Sequence, residues 1–378
     1  MCYFYVFIRI HRLLVFKTKY MKRLSLRHPL LLAAFTGIVF IISCNKFENT
    51  PISSAEVDTN IPQYFAGADE TYNAQIHLGR VLFYDKNLSV NNSVSCASCH
   101  KQALAFADNT AFSTGFENRL TKRNSMAIQN ITSPMISIDS SPLFWDGREP
   151  DLNSLIAKPI ANHIEMGITD FDQLLKKLNS LSYYRPILDK AYGIGSTLSL
   201  EGMSTSMTQF ILMFQTLHSR FDEAQVGSGS LNALELRGQL LFNTTYNCVS
   251  CHNPMPGMYQ SSGFHNIGLE SSIQDKGRMD VTGNSSDEGL FRAPDLHNVA
   301  LTAPYMHDGR FNSLDEVLSH YSHGIQENKN LSHVLRNNDG SALKMNITAE
   351  DRKALIAFLN SMTDYQMVSN PLLSNPFK

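Results

Sequence analysis

The chain has 378 residues, which is more than one hydrophobic core usually organises, so about two domains are expected. Apolar residues make up 43% and charged residues 17%, an ordinary balance that excludes disorder as the main state. The net charge of −2 conceals an asymmetry, because residues 1–43 hold seven of the 32 basic residues and no acid, which leaves 25 basic against 34 acidic residues. This acidic balance argues against nucleic-acid binding and favours a basic protein partner.

Residues 21–44 have the pattern of a bacterial export signal. Three basic residues are followed by an apolar run from Leu30 to Ile42 and then by Cys44. The ending IISC resembles a lipobox, in which the cysteine is acylated and becomes the first mature residue. We therefore expect a protein on the periplasmic side, lipid-anchored through Cys44, with 1–20 upstream of the true start and 44–65 as a lipoprotein linker. The alternative is an uncleaved membrane anchor, for which the apolar run is short.

Two stretches, SCASCH at 95–100 and NCVSCH at 247–252, contain the pattern CxxCH and hold every cysteine beyond Cys44. A zinc site would not need a histidine after each second cysteine, and exported proteins rarely keep free thiolates. A thioredoxin-like pair belongs in a βαβ setting, which this sequence lacks. Haem accounts for all three residues, since the cysteines form thioethers and the histidine becomes the proximal iron ligand. The sequence thus predicts two covalently bound c-type haems. Their predicted anchors are Cys96, Cys99 and His100, and Cys248, Cys251 and His252.

Each CxxCH follows a similar apolar segment, HLGRVLFYD at 77–85 and LRGQLLFNT at 236–244. The match predicts two copies of one haem-binding unit. A small, glycine-rich linker at 223–235 places the boundary near residue 228, which predicts an N-terminal haem domain at 66–228 and a C-terminal one at 229–378. A closing helix is expected at 347–363, and strand signals are few. The predicted fold is mainly α, with two cytochrome-c-type helical domains that face each other across an interface.

Four further stretches carry a family resemblance: FWDGREPDL at 144–152, KPIANHIEMG at 158–167, DKGRMD at 275–280, and FRAPDLHNVALTAPYMHDGRFNSLDEVLSHY at 291–321. With the two CxxCH sites, they resemble the bacterial di-haem cytochrome c peroxidase family, including its MauG branch, over about residues 65–365. The resemblance implies that hydrogen peroxide is reduced to water at the first haem. The second haem would relay electrons from a small cytochrome or cupredoxin, and a homodimer is a candidate assembly.

The resemblance also implies roles for individual residues. Glu165 matches the distal glutamate that moves protons between the peroxide oxygens, and Pro159 matches the proline lining the same face. Trp145, the one tryptophan in the sequence, matches the aromatic residue between the haems. The family's interdomain calcium site implies three ligands, the side chain of Asn124 and the backbone carbonyls of Thr302 and Pro304.

Two departures from the classical peroxidases bear on the iron ligands. No histidine occurs between His100 and His163, so the first haem is expected to be five-coordinate, as in the MauG branch. The position of the methionine that ligates the second haem is taken by Tyr321, which matches the axial tyrosine of MauG. Its apolar helical pattern points it inward. The rival ligands are His320, His323 and Met306.

Two more departures concern chemistry. Leu155 replaces a glutamine expected ten residues before Glu165, so one polar group near the peroxide is missing. The second surface tryptophan through which MauG oxidises its protein substrate is absent, although Tyr183, Tyr184 or Tyr259 could serve. The alternatives to peroxide reduction are MauG-like oxidation of a partner protein and a non-catalytic di-haem electron carrier.

Overall fold

The computed structural model describes residues 56–131, 142–252 and 263–378. The predicted export signal, Cys44 and Tyr259 lie outside these residues. Helices dominate the described chain, which confirms the mainly α prediction. The α-helices are α1 Glu70–Tyr84, α2 Cys96–Cys99, α3 Leu152–Ala161, α4 Phe171–Ser180, α5 Tyr184–Tyr192, α6 Leu200–Ile211, α7 Arg220–Gln225, α8 Ala233–Leu240, α9 Met279–Thr282, α10 Leu314–Ser319, α11 Ala349–Ser361 and α12 Tyr365–Ser369.

The remaining elements are short. Single 3₁₀ turns span Lys86–Leu88, Gln102–Leu104, Phe116–Asn118, Cys248–Ser250, Ser285–Asp287, Val299–Leu301, His333–Leu335 and Pro371–Leu373, and π-helical turns span Leu241–Thr245 and His320–Gly324. Strands β1 (Phe264–His265) and β2 (Phe291–Arg292) form an antiparallel pair with Phe264 opposite Arg292. None of the helices in the described ranges combines the length and hydropathy that crossing a bilayer requires.

Polar side chains at their N-caps explain where helices α8 and α11 begin. Asn232 and Glu235 form a reciprocal capping box at the start of α8. The Thr348 side chain accepts a hydrogen bond from the Asp351 amide at the start of α11, which confirms the helix expected at 347–363. These caps satisfy amide groups that have no partner within the helix.

Two buried apolar clusters divide most of the described chain. The first is built from residues between Val57 and Phe214, and the second from residues between Phe221 and Met362. Residues 225–230 between them are exposed. The end of the chain returns to the first cluster, which Met367 and Leu373 join. The domain boundary near residue 228 remains a prediction.

The two repeated segments are helical, as predicted, and each is crossed by a second helix at its glycine. A β-carbon on Gly79 of α1 would lie 1.9 Å from the Ser206 carbonyl oxygen of α6. A β-carbon on Gly238 of α8 would lie 2.0 Å from the Ala354 carbonyl oxygen of α11. The matching glycines therefore allow the same close backbone crossing in both halves, which gives the sequence repeat a structural reason.

Substitution of Gly79 by alanine is expected to lower the thermal unfolding midpoint, because the new methyl group meets backbone that cannot rotate away. Overpacking of this kind typically costs about 1–3 kcal/mol. The control is Gly202→Ala, also on the α1–α6 pair, where the nearest atom would be the Ser199 hydroxyl at 3.3 Å. Circular dichroism melts of the haem-loaded proteins would check this. Equal midpoints for the two variants would contradict the close crossing.

Candidate active site

The first CxxCH lies on a single helical turn that presents its histidine from a fixed backbone. Helix α2 starts with a capping box between Ser95 and Ser98, and His100 follows its last residue. His100 Nδ1 lies 2.8 Å from the Phe106 carbonyl oxygen. A carbonyl accepts only from an N–H, so Nδ1 carries the proton and the lone pair of the neutral ring is on Nε2. A backbone partner of this kind orients an iron-binding histidine.

The second CxxCH repeats this arrangement. Cys248 begins the 3₁₀ turn Cys248–Ser250 and Cys251 follows it, and His252 Nδ1 lies 2.9 Å from the Pro294 carbonyl oxygen. Burial lowers the pKa of both His100 and His252 and thereby favours the neutral imidazole that binds metals. Burial also raises the pKa of Cys96 and of Cys248 to about 12, so these thiols are not poised as thiolates.

A large, mostly apolar cavity opens beside the second CxxCH. It encloses about 1670 Å³, its open mouth included, and its walls include Cys248, Cys251 and His252. Leu355 and Leu359 of α11 also line it, in agreement with the expectation that this helix packs on the second haem. Two anchoring thiols, one oriented imidazole and apolar walls fit a c-type haem. The four cysteines of the described residues form no disulfide, which leaves them available for thioethers.

The four candidate axial ligands of the second haem are not equivalent. Tyr321 and Met306 line the cavity. His320 does not line it, and its Nε2 lies 2.9 Å from the Ile267 carbonyl oxygen, while His323 is exposed. The Tyr321 hydroxyl makes no hydrogen bond to any described residue. Burial raises the pKa of Tyr321, and the thiols of Cys248 and Cys251 add to this rise.

Tyr321 reaches the cavity from an irregular helix. Ser313 caps helix α10, because its hydroxyl accepts a hydrogen bond from the Glu316 amide. After Ser319 the helix widens into the π-helical turn His320–Gly324. The other π-helical turn, Leu241–Thr245, leads towards Cys248. Such turns occur often at functional sites, and sequence periodicity did not indicate either of them.

The Glu165 side chain is held in a tight loop near the first CxxCH. Its Oε1 accepts a hydrogen bond of 2.8 Å from Asn162 Nδ2, and its backbone carbonyl accepts one of 2.9 Å from the Phe116 amide. Gly115 allows the loop to pack closely, because a β-carbon there would lie 1.9 Å from the Ile164 carbonyl oxygen. Sequence reasoning missed Asn162, although its position three residues before Glu165 was a usable signal.

The Glu165 carboxylate is partly buried and interacts electrostatically with the first site. Burial raises its pKa, and the positive charge of Arg148 opposes that rise. The same carboxylate raises the pKa of Cys96 and of Cys99, although burial contributes more. A partly buried carboxylate with a raised pKa and a fixed hydrogen-bond donor is suited to accept and return a proton.

Pro159 and Leu155 both lie on α3, the helix that leads into this loop. Pro159 stands inside the helix and is half-buried. Leu155 packs against the first apolar cluster, so it supplies no polar group in place of the missing glutamine. Asn162 supplies the amide next to Glu165 instead.

Trp145 lies where the two halves of the chain meet. Its ring lines both the C-terminal cavity and a second, smaller cavity. The indole Nε1 donates a hydrogen bond of 2.8 Å to the Asn124 carbonyl, and the Trp145 carbonyl accepts one of 2.8 Å from the Arg292 amide. Hydrogen bonds to residues of both halves therefore fix the position of Trp145, which matches the aromatic residue between the haems in the family.

The smaller cavity, which we call the interface cavity, brings the predicted calcium residues together. Asn124, Thr302 and Pro304 all line it. Asn124 uses its Nδ2 to donate to the Thr110 and Ala111 carbonyls, at 3.1 and 3.3 Å, and so leaves Oδ1 available. One amide oxygen and backbone carbonyls suit a hard cation that keeps several waters.

A buried imidazole beside this cavity was also missed by sequence reasoning. His297 lies 2.8 Å from Asp295 and 3.2 Å from Asp222. Burial opposes its charge, but the two carboxylates outweigh burial and raise the pKa of His297 to about 10. Asn130, from the N-terminal half, donates a hydrogen bond of 2.9 Å to Asp295, the same carboxylate that contacts His297. The charged His297 therefore helps to hold the two halves together.

Comparisons with known proteins agree with this geometry. The family described as "Di-haem cytochrome c peroxidase" matches residues 73–230. The cytochrome c551 peroxidase of Nitrosomonas europaea is 34% identical over 64% of this chain and 70% of its own length. The methylamine utilization protein MauG of Methylorubrum extorquens is 27% identical over 76% of this chain and 78% of its own.

A crystal structure of a MauG-like protein associated with microbial copper homeostasis superposes with a TM-score of 0.72. It shares 28% identity and covers 84% of this chain and 98% of its own. This overall similarity extends the family match to both halves of the described chain. The chain therefore belongs to the di-haem cytochrome c peroxidase family, oxidoreductases that carry two c-type haems.

Proposed function

We propose that this protein reduces hydrogen peroxide to water with electrons from a small cytochrome or a cupredoxin. The observation that carries the proposal is the partly buried Glu165 carboxylate, which accepts a hydrogen bond of 2.8 Å from the Asn162 amide. A non-catalytic electron carrier would not need a positioned proton acceptor there.

The residues at the first site have different roles in the reaction. Bound haem supplies redox-active iron at both sites. Glu165 takes a proton from one peroxide oxygen and returns it to the other as the O–O bond breaks. Two electrons and two protons complete the conversion of one hydrogen peroxide to two water molecules. The Phe106 carbonyl keeps His100 oriented through Nδ1.

The second site passes electrons towards the first. Tyr321 would bind the iron of the second haem, because it lines the cavity and its hydroxyl has no hydrogen bond to a described residue, whereas His320 is bonded to backbone and His323 is exposed. An oxygen ligand favours ferric iron and lowers the potential relative to methionine. Trp145, which lines the cavity and contacts both halves, couples the two centres.

Steady-state oxidation of reduced cytochrome c by the haem-loaded protein, with and without hydrogen peroxide, tests the function. Peroxide-dependent oxidation with two cytochromes consumed per peroxide is expected. Full haem content without such turnover would reject the proposal.

The Tyr321 assignment also favours a second candidate function, oxidation of a partner protein in the manner of MauG. A low-potential second haem is a poor entry point for electrons from a high-potential cytochrome. In that case, a two-electron-oxidised state would outlast mixing with reduced cytochrome c.

The proposal also includes a calcium ion, a lipid anchor and a homodimer. A calcium ion in the interface cavity is supported by Asn124, Thr302 and Pro304, which all line it. The lipobox-like sequence supports a signal peptide and a lipid anchor at Cys44 on the periplasmic side. A homodimer is proposed from the family resemblance alone.

The pH dependence of the peroxide reaction tests the environment of Glu165. The ionised carboxylate accepts the proton, so the rate should be high above its pKa and fall as the pH drops through it. Because burial raises this pKa above the ordinary 4.5, the fall should begin at a higher pH than for a free carboxyl group. Asn162→Asp removes the amide that donates to Glu165 and adds a negative charge beside it. Both changes raise the pKa of Glu165, so the fall in rate should move to still higher pH.

Arg148→Gln is the companion variant, since it removes the positive charge that opposes the rise. It should move the fall in the same direction and leave the backbone turn at Asn162 intact. Stopped-flow rates measured from pH 4 to pH 8 would check both variants. Identical profiles for wild type and both variants would show that Glu165 is not the titrating group.

A further inference from the structure

Arg292 is a half-buried cation that lines two cavities. Its backbone is fixed by β2, which pairs with β1, and by the hydrogen bond from its amide to the Trp145 carbonyl. Its side chain lines both the C-terminal cavity and the interface cavity. Two residues later, the Pro294 carbonyl orients His252. One short segment thus positions both the proximal histidine and this guanidinium.

The Arg292 guanidinium has no hydrogen bond and no ion pair with any described residue. Its Nε is fully buried and unpartnered. Asp295 influences it through space, but the oxygens of Asp295 accept hydrogen bonds from His297 and Asn130. A guanidinium without a carboxylate partner favours an anion that can accept its hydrogen bonds.

The acidic residues of the C-terminal cavity cannot supply that anion. Glu270 is paired with Arg310 at 2.6 Å, and Asp275 is paired with Arg123 at 2.7 Å. Both arginine partners lie outside the lining of the cavity. Among the lysines, arginines and carboxylates that line this cavity, Arg292 alone has no oppositely charged partner within residues 56–131, 142–252 and 263–378. These residues therefore leave one positive charge of the cavity uncompensated.

We propose that Arg292 binds a propionate carboxylate of the haem attached at Cys248 and Cys251. The inference rests on the proposed two-haem function and adds a residue that positions the cofactor and sets the potential of the second haem. The planar guanidinium fork matches a carboxylate with two parallel hydrogen bonds. Arg292 would hold this carboxylate at a wall of the cavity that Trp145 also lines.

The test is a spectroelectrochemical titration of the haem-loaded full chain with Arg292→Gln, Arg292→Lys and Arg185→Gln. A nearby positive charge favours the reduced, less positive haem. The Gln variant should therefore shift the potential of the second haem to lower values, and the Lys variant should shift it less. Arg185, whose side chain is 51% exposed, pairs with Asp189 at 3.1 Å on α5 and serves as the charge-matched control, for which no shift is expected. An unchanged potential in Arg292→Gln, or equal shifts in Gln and Lys, would overturn the proposal.

A second measurement, on Arg292→Lys, tests the proposal if Arg292→Gln does not fold. Resonance Raman spectra of Arg292→Lys report the propionate bending vibration, which should move when the two-pronged contact is lost. An unmoved vibration would overturn the assignment. Haem content and peroxide turnover are measured on the same samples. A shift in potential without peroxide turnover would support the Arg292 inference and reject the proposed function, whereas absence of covalent haem would reject both.

Discussion

Replacement of Glu165 by glutamine is expected to leave both haems attached and to slow peroxide reduction by about 10²- to 10⁴-fold. Glutamine keeps the shape of the side chain but cannot accept a proton. The Asn162 amide would then face an amide instead of a carboxylate. Steady-state rates with reduced cytochrome c would check the effect, and haem spectra would confirm that both cofactors are present.

The matched control for this prediction is Glu117→Gln. Glu117 lies next to Phe116, whose amide bonds the Glu165 carbonyl, but its side chain is 59% exposed and pairs with Arg119. The control should retain wild-type turnover. Wild-type turnover in Glu165→Gln itself would remove Glu165 from the mechanism.

Replacement of Tyr321 by methionine is expected to raise the reduction potential of the second haem by a sizeable part of the roughly 0.8 V that axial ligands span. A neutral thioether stabilises reduced iron better than an oxygen ligand does. Electron entry from reduced cytochrome c should therefore become faster. Redox titration followed by visible absorption measures the first effect, and stopped-flow mixing measures the second.

Met306→Leu separates the two ligand candidates that line the cavity. If Tyr321 binds the iron, this variant should keep the wild-type spectrum and potential. A changed spectrum in Met306→Leu together with a wild-type spectrum in Tyr321→Met would assign the ligand to Met306.

The parts of the site that could be predicted are those written in contiguous residues. CxxCH places two thioethers and one ligand within five positions, so its chemistry can be read without a fold. The closing helix at 347–363 was predictable because its cap and apolar face are local. The glycines of the repeat were visible, but their purpose became clear only when α6 and α11 were seen crossing them.

The rest depends on contacts between distant segments. No sequence pattern singles out Arg292, and only the fold shows that its Nε is buried between two cavities without a partner among the described residues. His297 becomes a stable cation only where Asp222 and Asp295 meet it. Periodicity placed Tyr321 on an inward face, but it could not distinguish that residue from His320, whose ring is bonded to the Ile267 carbonyl. The π-helical turn behind this difference has no simple sequence signature.

The most direct test of the peroxidase assignment is stopped-flow absorption of the ferric protein mixed with one equivalent of hydrogen peroxide and then with reduced cytochrome c. We expect a fast Soret change without prior reduction, followed by discharge as the cytochrome is oxidised. No spectral change until one haem is reduced would reveal a sixth ligand on the first haem and contradict the five-coordinate site expected at His100.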